Sequence, residues 1–373
     1  MKLKLAGAFA ALIIAAGILT TGCGSSSSAA DLGKKGDPVH LVVGYQPYYT
    51  EGWSAVVMKE KEFWKKHLPK GSTVEFQVGL QGSIIIGQML AGKQQIGYVG
   101  DMPSIVGASK QSVKPLDIVA TAGTSADSCG VFLVSKDAPE FKSQAEAIKW
   151  MNGKTVADPQ GSCADRVAQA AFEKEGVKPG EYLNQSLDLV TSDFGNNSID
   201  ASSVWEPVGA KLVDEGLAKR VASGAFAGLT TAAFVVMPKQ LLEERPEVAE
   251  GWLEAELEAQ KYMSDPANQA EIAKMAVNQT TGYTEAQMHD ALFKAWPTAV
   301  GGAADGTKLE FPFAITPEVQ ELIKSSSAFL YKIKSIDTAE LPASAIDGKL
   351  AEAVLKKAGG APQPIKGSPT GAG

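Results

Sequence analysis

Gly153-Lys154-Thr155-Val156-Ala157-Asp158-Pro159-Gln160-Gly161-Ser162 decides how this chain reads. Residues 155–157 have the β-branched and small apolar character of a short strand. Pro159 ends it, Gly161 turns the backbone, and Ser162 opens a helix that Gly176 closes. Upstream the design recurs: a strand over 74–78, the turn Gln81-Gly82-Ser83, a helix through Leu90 and a stop at Gly92. Further strands are expected over 40–45, 96–99 and 116–122, with a helix over 51–67 that Pro69 and Gly71 stop. Asp101 opens a short helix with Pro103 in its first turn.

Short apolar strands alternating with amphipathic helices argue for an open α/β sheet. The pattern restarts at Gly130-Val131-Phe132-Leu133-Val134, with a helix over 142–151 and short strands over 187–190, 201–204 and 220–222. A strand over 232–237 is expected to return to the first sheet, and the chain from Lys239 to about Leu355 reads as mainly helical. Roughly 310 ordered residues exceed what one core usually holds, so two lobes are expected. The expected boundaries are 38–125 for the first part of lobe 1, 126–224 for lobe 2, and 225–355 for the rest of lobe 1 with the C-terminal helices. Residues 356–373, rich in Gly and Pro, read as a disordered tail.

A helix start leaves N–H groups unpaired and carries about half a positive charge, so it holds anions without a Lys or Arg. In open α/β sheets ligands sit beyond the carboxyl ends of the strands. Gln81, Gly82, Ser83, Gln160 and Ser162 are therefore candidate ligand contacts, although plain capping explains each serine equally simply. Ser162 with Asp165 is close to a capping box. Asp165 offsets part of the dipole, and Arg166 restores it if it points inward. Tyr45, Tyr48, Tyr49 and Trp53 cluster after the first strand, where aromatics line a pocket or pack in the core. Asp101 reads as a cap or as an acceptor for a ligand donor. Phe63, Trp64 and Trp150 fit packing.

Composition excludes several classes. The three histidines, His40, His67 and His289, sit in no acidic or Gly-rich cluster, which argues against a His triad, a metal site or a cofactor site. The formal charge is −7, and −9 once Lys2 and Lys4 are removed with a leader, which argues against nucleic acid.

The N-terminus reads as that leader. Met1-Lys2-Leu3-Lys4 precedes an apolar run over 5–19 and then Thr20-Thr21-Gly22-Cys23. This describes an export signal over 1–22, too short for a spanning helix. The cysteine after the cut resembles a bacterial lipobox, with Thr20 where a Leu is usual, so Cys23 is the expected lipidation site. Residues 23–37 form the expected tether, with four serines directly after the lipid. On the oxidising side of a membrane Cys129 and Cys163 are expected to pair, against free buried thiols or a metal.

Gly153-Lys154-Thr155-Val156-Ala157 with Pro159-Gln160-Gly161-Ser162, Ile199-Asp200-Ala201 and Trp205-Glu206-Pro207 resemble the ABC-transporter solute-binding proteins of the nitrate, sulfonate, taurine and thiamine-precursor type. Gly79-Leu80-Gln81-Gly82-Ser83, Gln88-Met89-Leu90-Ala91-Gly92 and Ile96-Gly97-Tyr98-Val99-Gly100 resemble that family's first lobe. The resemblance covers about 41–238. It implies a type II periplasmic-binding-protein fold, with crossovers near 122–129 and 223–231. It also implies a monomer that delivers a small solute to a permease and its ATPase. It carries Gln46, Gln81, Gly82, Ser83, Ser162, Cys163 and Trp205 into the cleft, with Glu206 lining it or bracing the loop. With Tyr45, Tyr48, Asp101 and Gln160 these form the candidate site. No Lys or Arg stands in the first-lobe motifs, which leaves a sulfonate or similar oxyanion against a neutral heteroaromatic solute.

Overall fold

The computed structural model describes residues 32–112 and 114–369. The strands are β1 (His40–Tyr45), β2 (Thr73–Val78), β3 (Ile96–Gly100), β4 (Leu116–Ser125), β5 (Cys129–Ser135), β6 (Thr155–Asp158), β7 (Glu181–Asn184), β8 (Ala201–Trp205), β9 (Ala218–Ala222), β10 (Thr231–Pro238), β11 (Thr307–Leu309) and β12 (Ile365–Lys366). The helices are α1 (Ser54–Lys61), α2 (Gly82–Leu90), α3 (Asp101–Ala108), α4 (Gln144–Trp150), α5 (Cys163–Glu175), α6 (Leu187–Gly195), α7 (Val208–Asp214), α8 (Gly224–Ala227), α9 (Lys239–Glu244), α10 (Pro246–Ser264), α11 (Gln269–Asn278), α12 (Glu285–Phe293), α13 (Pro317–Lys332) and α14 (Lys349–Lys357).

Two five-stranded sheets form the two lobes. Their orders are β2-β1-β3-β10-β4 and β7-β6-β8-β5-β9. In each, three neighbouring strands run parallel, and one strand from beyond the crossover enters antiparallel: β10 in the first sheet, β5 in the second. The inner parallel strands β3 and β8 are fully buried and read as apolar or small-residue runs, while the edge strands β2 and β7 carry charged and polar residues. Ile86, Val99, Phe234 and Ile323 centre one lobe 1 core, while Phe132, Val156, Ala168 and Phe172 centre one in lobe 2. Among the described residues, no helix is long and apolar enough to cross a membrane.

The chain passes between the lobes at 126–128 and 223–230, and then twice more. Gln279 still holds the Val56 carbonyl of lobe 1 (3.1 Å), but Lys211 of lobe 2 donates to Gly282 O (2.7 Å). Helix α12 packs on α7 of lobe 2, with Gln287 Nε2 donating to Asp214 Oδ2 (2.9 Å). Ser223 Oγ then donates to Gly301 O (2.5 Å), before β11 returns to lobe 1 beside β4. The stretch over 282–301 thus rides on lobe 2, where the sequence assigned all of 225–355 to the other side. Buried charges pin this region: Arg220 Nη1 to Glu206 Oε1 (2.8 Å) and Lys308 Nζ to Asp127 Oδ1 (3.1 Å).

Other departures have local causes. Residues 187–190 begin helix α6 rather than a strand, because Ser186 caps it by accepting the Leu189 N–H; the strand is β7, just upstream. The helix expected over 51–67 breaks at Glu62, which takes φ 52°. The chain after 356 is not wholly irregular: β12 pairs with β11, and the Ser368 N–H donates to Phe293 O (2.7 Å). At the other end, 32–37 is docked rather than free. The buried Arg245 guanidinium holds the carbonyls of Leu32 and Asp37, the latter at 2.7 Å, and bonds Glu247 (2.7 Å). The leader and Cys23 lie outside the described residues.

Candidate functional site

A cavity of about 350 Å³ lies between the lobes. Its lobe 1 wall is the turn after β1, the start of α2 and the start of α3. Its lobe 2 wall is the loop 159–163 and Trp205. Three helices begin at it. Helix α2 starts after Gln81 and α3 after Gly100, neither with a side-chain cap; α5 starts after Ser162, whose Oγ accepts the Asp165 N–H (3.3 Å). Asp165 Oδ2 in turn accepts the Gly161 N–H (2.8 Å), closing a variant of the capping box one residue early. Gly82 is required here, since a Cβ would stand 2.5 Å from Pro103 Cγ.

Ile86, Leu90, Pro103 and Val106 give one side of the cavity an apolar surface. Among the described residues, no Lys or Arg lines it. Arg166 lies behind the wall, where its guanidinium faces Asp101 Oδ2 (3.5 Å) and donates to Thr230 O (3.3 Å) and Ser325 Oγ (2.9 Å). Burial raises the Asp101 carboxyl, and Arg166 opposes that rise. The donors that the helix starts turn toward the cavity are therefore backbone N–H groups and not side-chain cations.

The expected disulfide forms. Cys129 at the head of β5 and Cys163 at the head of α5 are bridged, with Cα atoms 6.2 Å apart. It fixes the first residue of α5, which lines the cavity, to the sheet beneath it. Across the cleft, Trp205 Nε1 donates to Tyr48 O (3.0 Å) and the Tyr49 ring meets Trp205 edge-on at 6.3 Å. Behind the lobe 2 wall, the buried Asp158 accepts from Tyr182 Oη (2.9 Å) and the Ser203 N–H (2.5 Å), and burial pushes its carboxyl up to about 7.

Gln46, Gln81, Gly82, Ser83, Asp101, Gln160, Ser162, Cys163 and Trp205 all line the cavity. Tyr45, Tyr48 and Glu206 do not. Tyr45 is buried against Phe76 (5.6 Å) and its hydroxyl accepts from Lys59 Nζ (3.0 Å). Tyr48 turns outward to the Thr281 N–H (3.1 Å). Glu206 points into lobe 2, held by Arg220 and the Ala210 N–H (2.7 Å). The tyrosine that reaches the cavity is Tyr49, which the sequence grouped with its neighbours but could not separate from them. Ile86 and Leu90 were also missed, although their i, i+4 spacing after Ser83 places them on one face of α2.

Residues 34–277 match the NMT1-like family. The taurine-binding periplasmic protein of Escherichia coli is 25% identical over 250 residues, covering 64% of this chain and 73% of that protein. The alkanesulfonate-binding protein of Xanthomonas axonopodis pv. citri, solved with MOPS bound, superposes with a TM-score of 0.65 at 18% identity. That match covers 83% of this chain and 98% of the other. The desulfurization enzyme DSZB also shares the fold, with a TM-score of 0.61 at 12% identity, covering 85% of this chain and 99% of its own.

Proposed function

The chain belongs to the NMT1-like family, and from that premise we propose that it captures a small organic oxyanion, with a sulfonate favoured, for an ABC importer. The cleft closes on the solute and presents it to a permease and its ATPase. The protein works outside the cytoplasmic membrane as a monomer, tethered by lipid at Cys23. One observation carries this reading: three helix starts converge on a cavity that has an apolar side and no lining cation. Neutral N–H donors at helix starts suit a dispersed oxyanion charge, and Ile86, Leu90 and Val106 suit an organic tail.

A second reading, a neutral heteroaromatic solute, draws on the Tyr49–Trp205 edge contact and the amide side chains of Gln46, Gln81 and Gln160 in the wall. Catalysis on this fold, as in the desulfurization enzyme, draws little support here. None of the three histidines lines the cavity, and the cysteine that does is bridged. A sensory lipoprotein is separated from a transport component by its neighbouring genes: a kinase for the first, a permease and an ATPase for the second.

The test is a thermal-shift panel of sulfonates, nitrate, bicarbonate, carboxylates and pyrimidines. A ligand at 100 times its Kd adds about 2.7 kcal/mol, a visible shift. Stabilisation by sulfonates supports the oxyanion reading, and stabilisation by pyrimidines alone replaces it with the second.

A further inference from the structure

Behind the Tyr49 ring sits a carboxyl group that no cation accompanies among the described residues. Glu51 lies in the 3-10 turn Thr50–Gly52 and is fully buried. Tyr49 Oη is 2.6 Å from Glu51 Oε2, Thr231 Oγ1 is 2.6 Å from Glu51 Oε1, and the same Thr231 oxygen is 3.0 Å from Ser125 O. Each of these three contacts is a hydrogen-bond distance and needs a proton. The two hydroxyls supply two, and the Ser125 carbonyl supplies none. A proton on Glu51 supplies the third, and the longer Tyr49 Oη contact to Ala232 O (3.3 Å) is then shared with the bond to Glu51. With it, Glu51 donates to Thr231, Thr231 donates to Ser125 O, and Tyr49 donates to Glu51.

The surrounding charges agree with this count. At the head of α3, which follows β3, Asp101 is covered by Arg166 (3.5 Å). In the first crossover, after β4, Asp127 is covered by Lys308 (3.1 Å) and Arg220 (3.9 Å). Glu206, whose backbone oxygen accepts the Thr50 N–H, is covered by Arg220. From α1, Lys59 turns away to Tyr45, and from β3 the Tyr98 hydroxyl goes to Glu256 (2.7 Å). Strands β4 and β10 offer Glu51 hydroxyls and carbonyls.

We propose that Glu51 is a specificity-determining residue of the cleft: it carries a proton, and its neutrality is what lets an anion bind beyond Tyr49. This rests on the reading of the cavity as an oxyanion site. The link is short. Tyr49 Oη, which takes the Glu51 contact, also lies 4.0 Å from Cys163 Sγ at the head of α5 and 3.3 Å from Ala232 O. An ionised Glu51 places a negative charge one hydroxyl behind the wall that receives the anion, and polarises that hydroxyl away from it. Burial also pushes the Glu51 carboxyl up to about 8, so its ionisation falls in an accessible range.

The experiment uses the full chain and two readouts. The infrared difference between wild type and Glu51→Gln should contain a protonated-carboxyl band that bleaches as pH rises through about 8. Calorimetry with ethanesulfonate and 1-hexanesulfonate as probes, neither of which titrates in this range, should give a wild-type Kd that weakens about tenfold per pH unit above that point, since only the neutral fraction binds. Glu51→Gln should lack the weakening above about 8. Asp158, which titrates near 7 behind the other wall, is present in both proteins and cancels in the comparison.

No carboxyl band, or the same pH profile in both proteins, overturns the proposal and leaves the oxyanion reading standing. No binding of either probe at any pH, while a pyrimidine binds, overturns both. If Glu51→Gln does not fold, Tyr49→Phe replaces it. Losing that donor raises the Glu51 carboxyl further and moves the midpoint of the binding profile upward; an unmoved midpoint overturns the proposal.

Discussion

Arg166 Nη1 of lobe 2 and Asp101 Oδ2 of lobe 1 face each other at 3.5 Å, with side chains only 5% and 0% exposed. They cancel each other's charge at the cavity wall, which Asp101 lines and Arg166 backs. Removing one partner of a buried pair leaves the other uncompensated, at about 3–5 kcal/mol. Arg166→Met should therefore unfold at markedly lower urea, and Asp101→Asn added to it should recover most of the loss. A double variant no more stable than Arg166→Met would show that the other contacts of Arg166 matter instead.

Ser162→Asp should weaken oxyanion binding at least tenfold, or about 1.4 kcal/mol. The new carboxylate still caps α5 but stands at the helix start proposed to receive the anion. Ser186→Asp makes the matched control, because Ser186 caps α6, which does not line the cavity. Equal effects of the two substitutions in calorimetry would remove Ser162 from the site.

Cysteine chemistry gives an independent check. Apart from Cys23, thiol counting on the unfolded, unreduced chain should find none free. Replacing Cys129 and Cys163 by Ala should cost about 3–4 kcal/mol in denaturant unfolding, from the loop entropy restored to the unfolded state. It should also lower ligand affinity, because the first residue of α5 loses its tie to β5. Unchanged affinity would mean that α5 holds its place without the bridge.

Asp158 predicts a sign in the pH dependence of stability. Its carboxyl is pushed up to about 7 in the fold, from an ordinary value near 3.8. The folded state therefore keeps a proton that the unfolded chain loses. The stability it contributes is fully present below the ordinary value and is lost as pH rises through about 7. The slope approaches 1.4 kcal/mol per pH unit, an order-of-magnitude figure. Asp158→Asn should flatten that fall in urea titrations run across this range; an identical slope in both proteins would mean Asp158 is ionised throughout.

The strand–turn–helix units at 81–83 and 160–162 were legible because they are local. Ser, Gly and Pro fix a helix start from their own conformational preferences, and six of the twelve candidate residues lie on these two turns or beside them. The stretch 187–190 failed because four residues with alternating Leu and Asp fit a strand, and only the Ser186 cap reveals the helix. Which of Tyr45, Tyr48 and Tyr49 reaches the cavity depends on the path of the chain after β1. Asp101 with Arg166, and Glu51 with Thr231, are meetings of residues 65 and 180 apart, which no local pattern encodes. The composition of the C-terminal stretch suggested disorder, yet Ile365 is buried and holds its strand in place.

The four passes of chain between the lobes have a mechanical meaning. Two adjacent strands of backbone allow their ends both to swing and to twist. Passes at 126–128, 223–230, 279–284 and 302–306 work as a broader strap that resists torsion and leaves swinging as the soft direction. A protease cut at any one of them would leave three passes between the lobes, and the two fragments would then be held together only by packing, as where β10 lies between β3 and β4. Redundancy of that kind suits a protein that spends its life outside the cell's repair machinery.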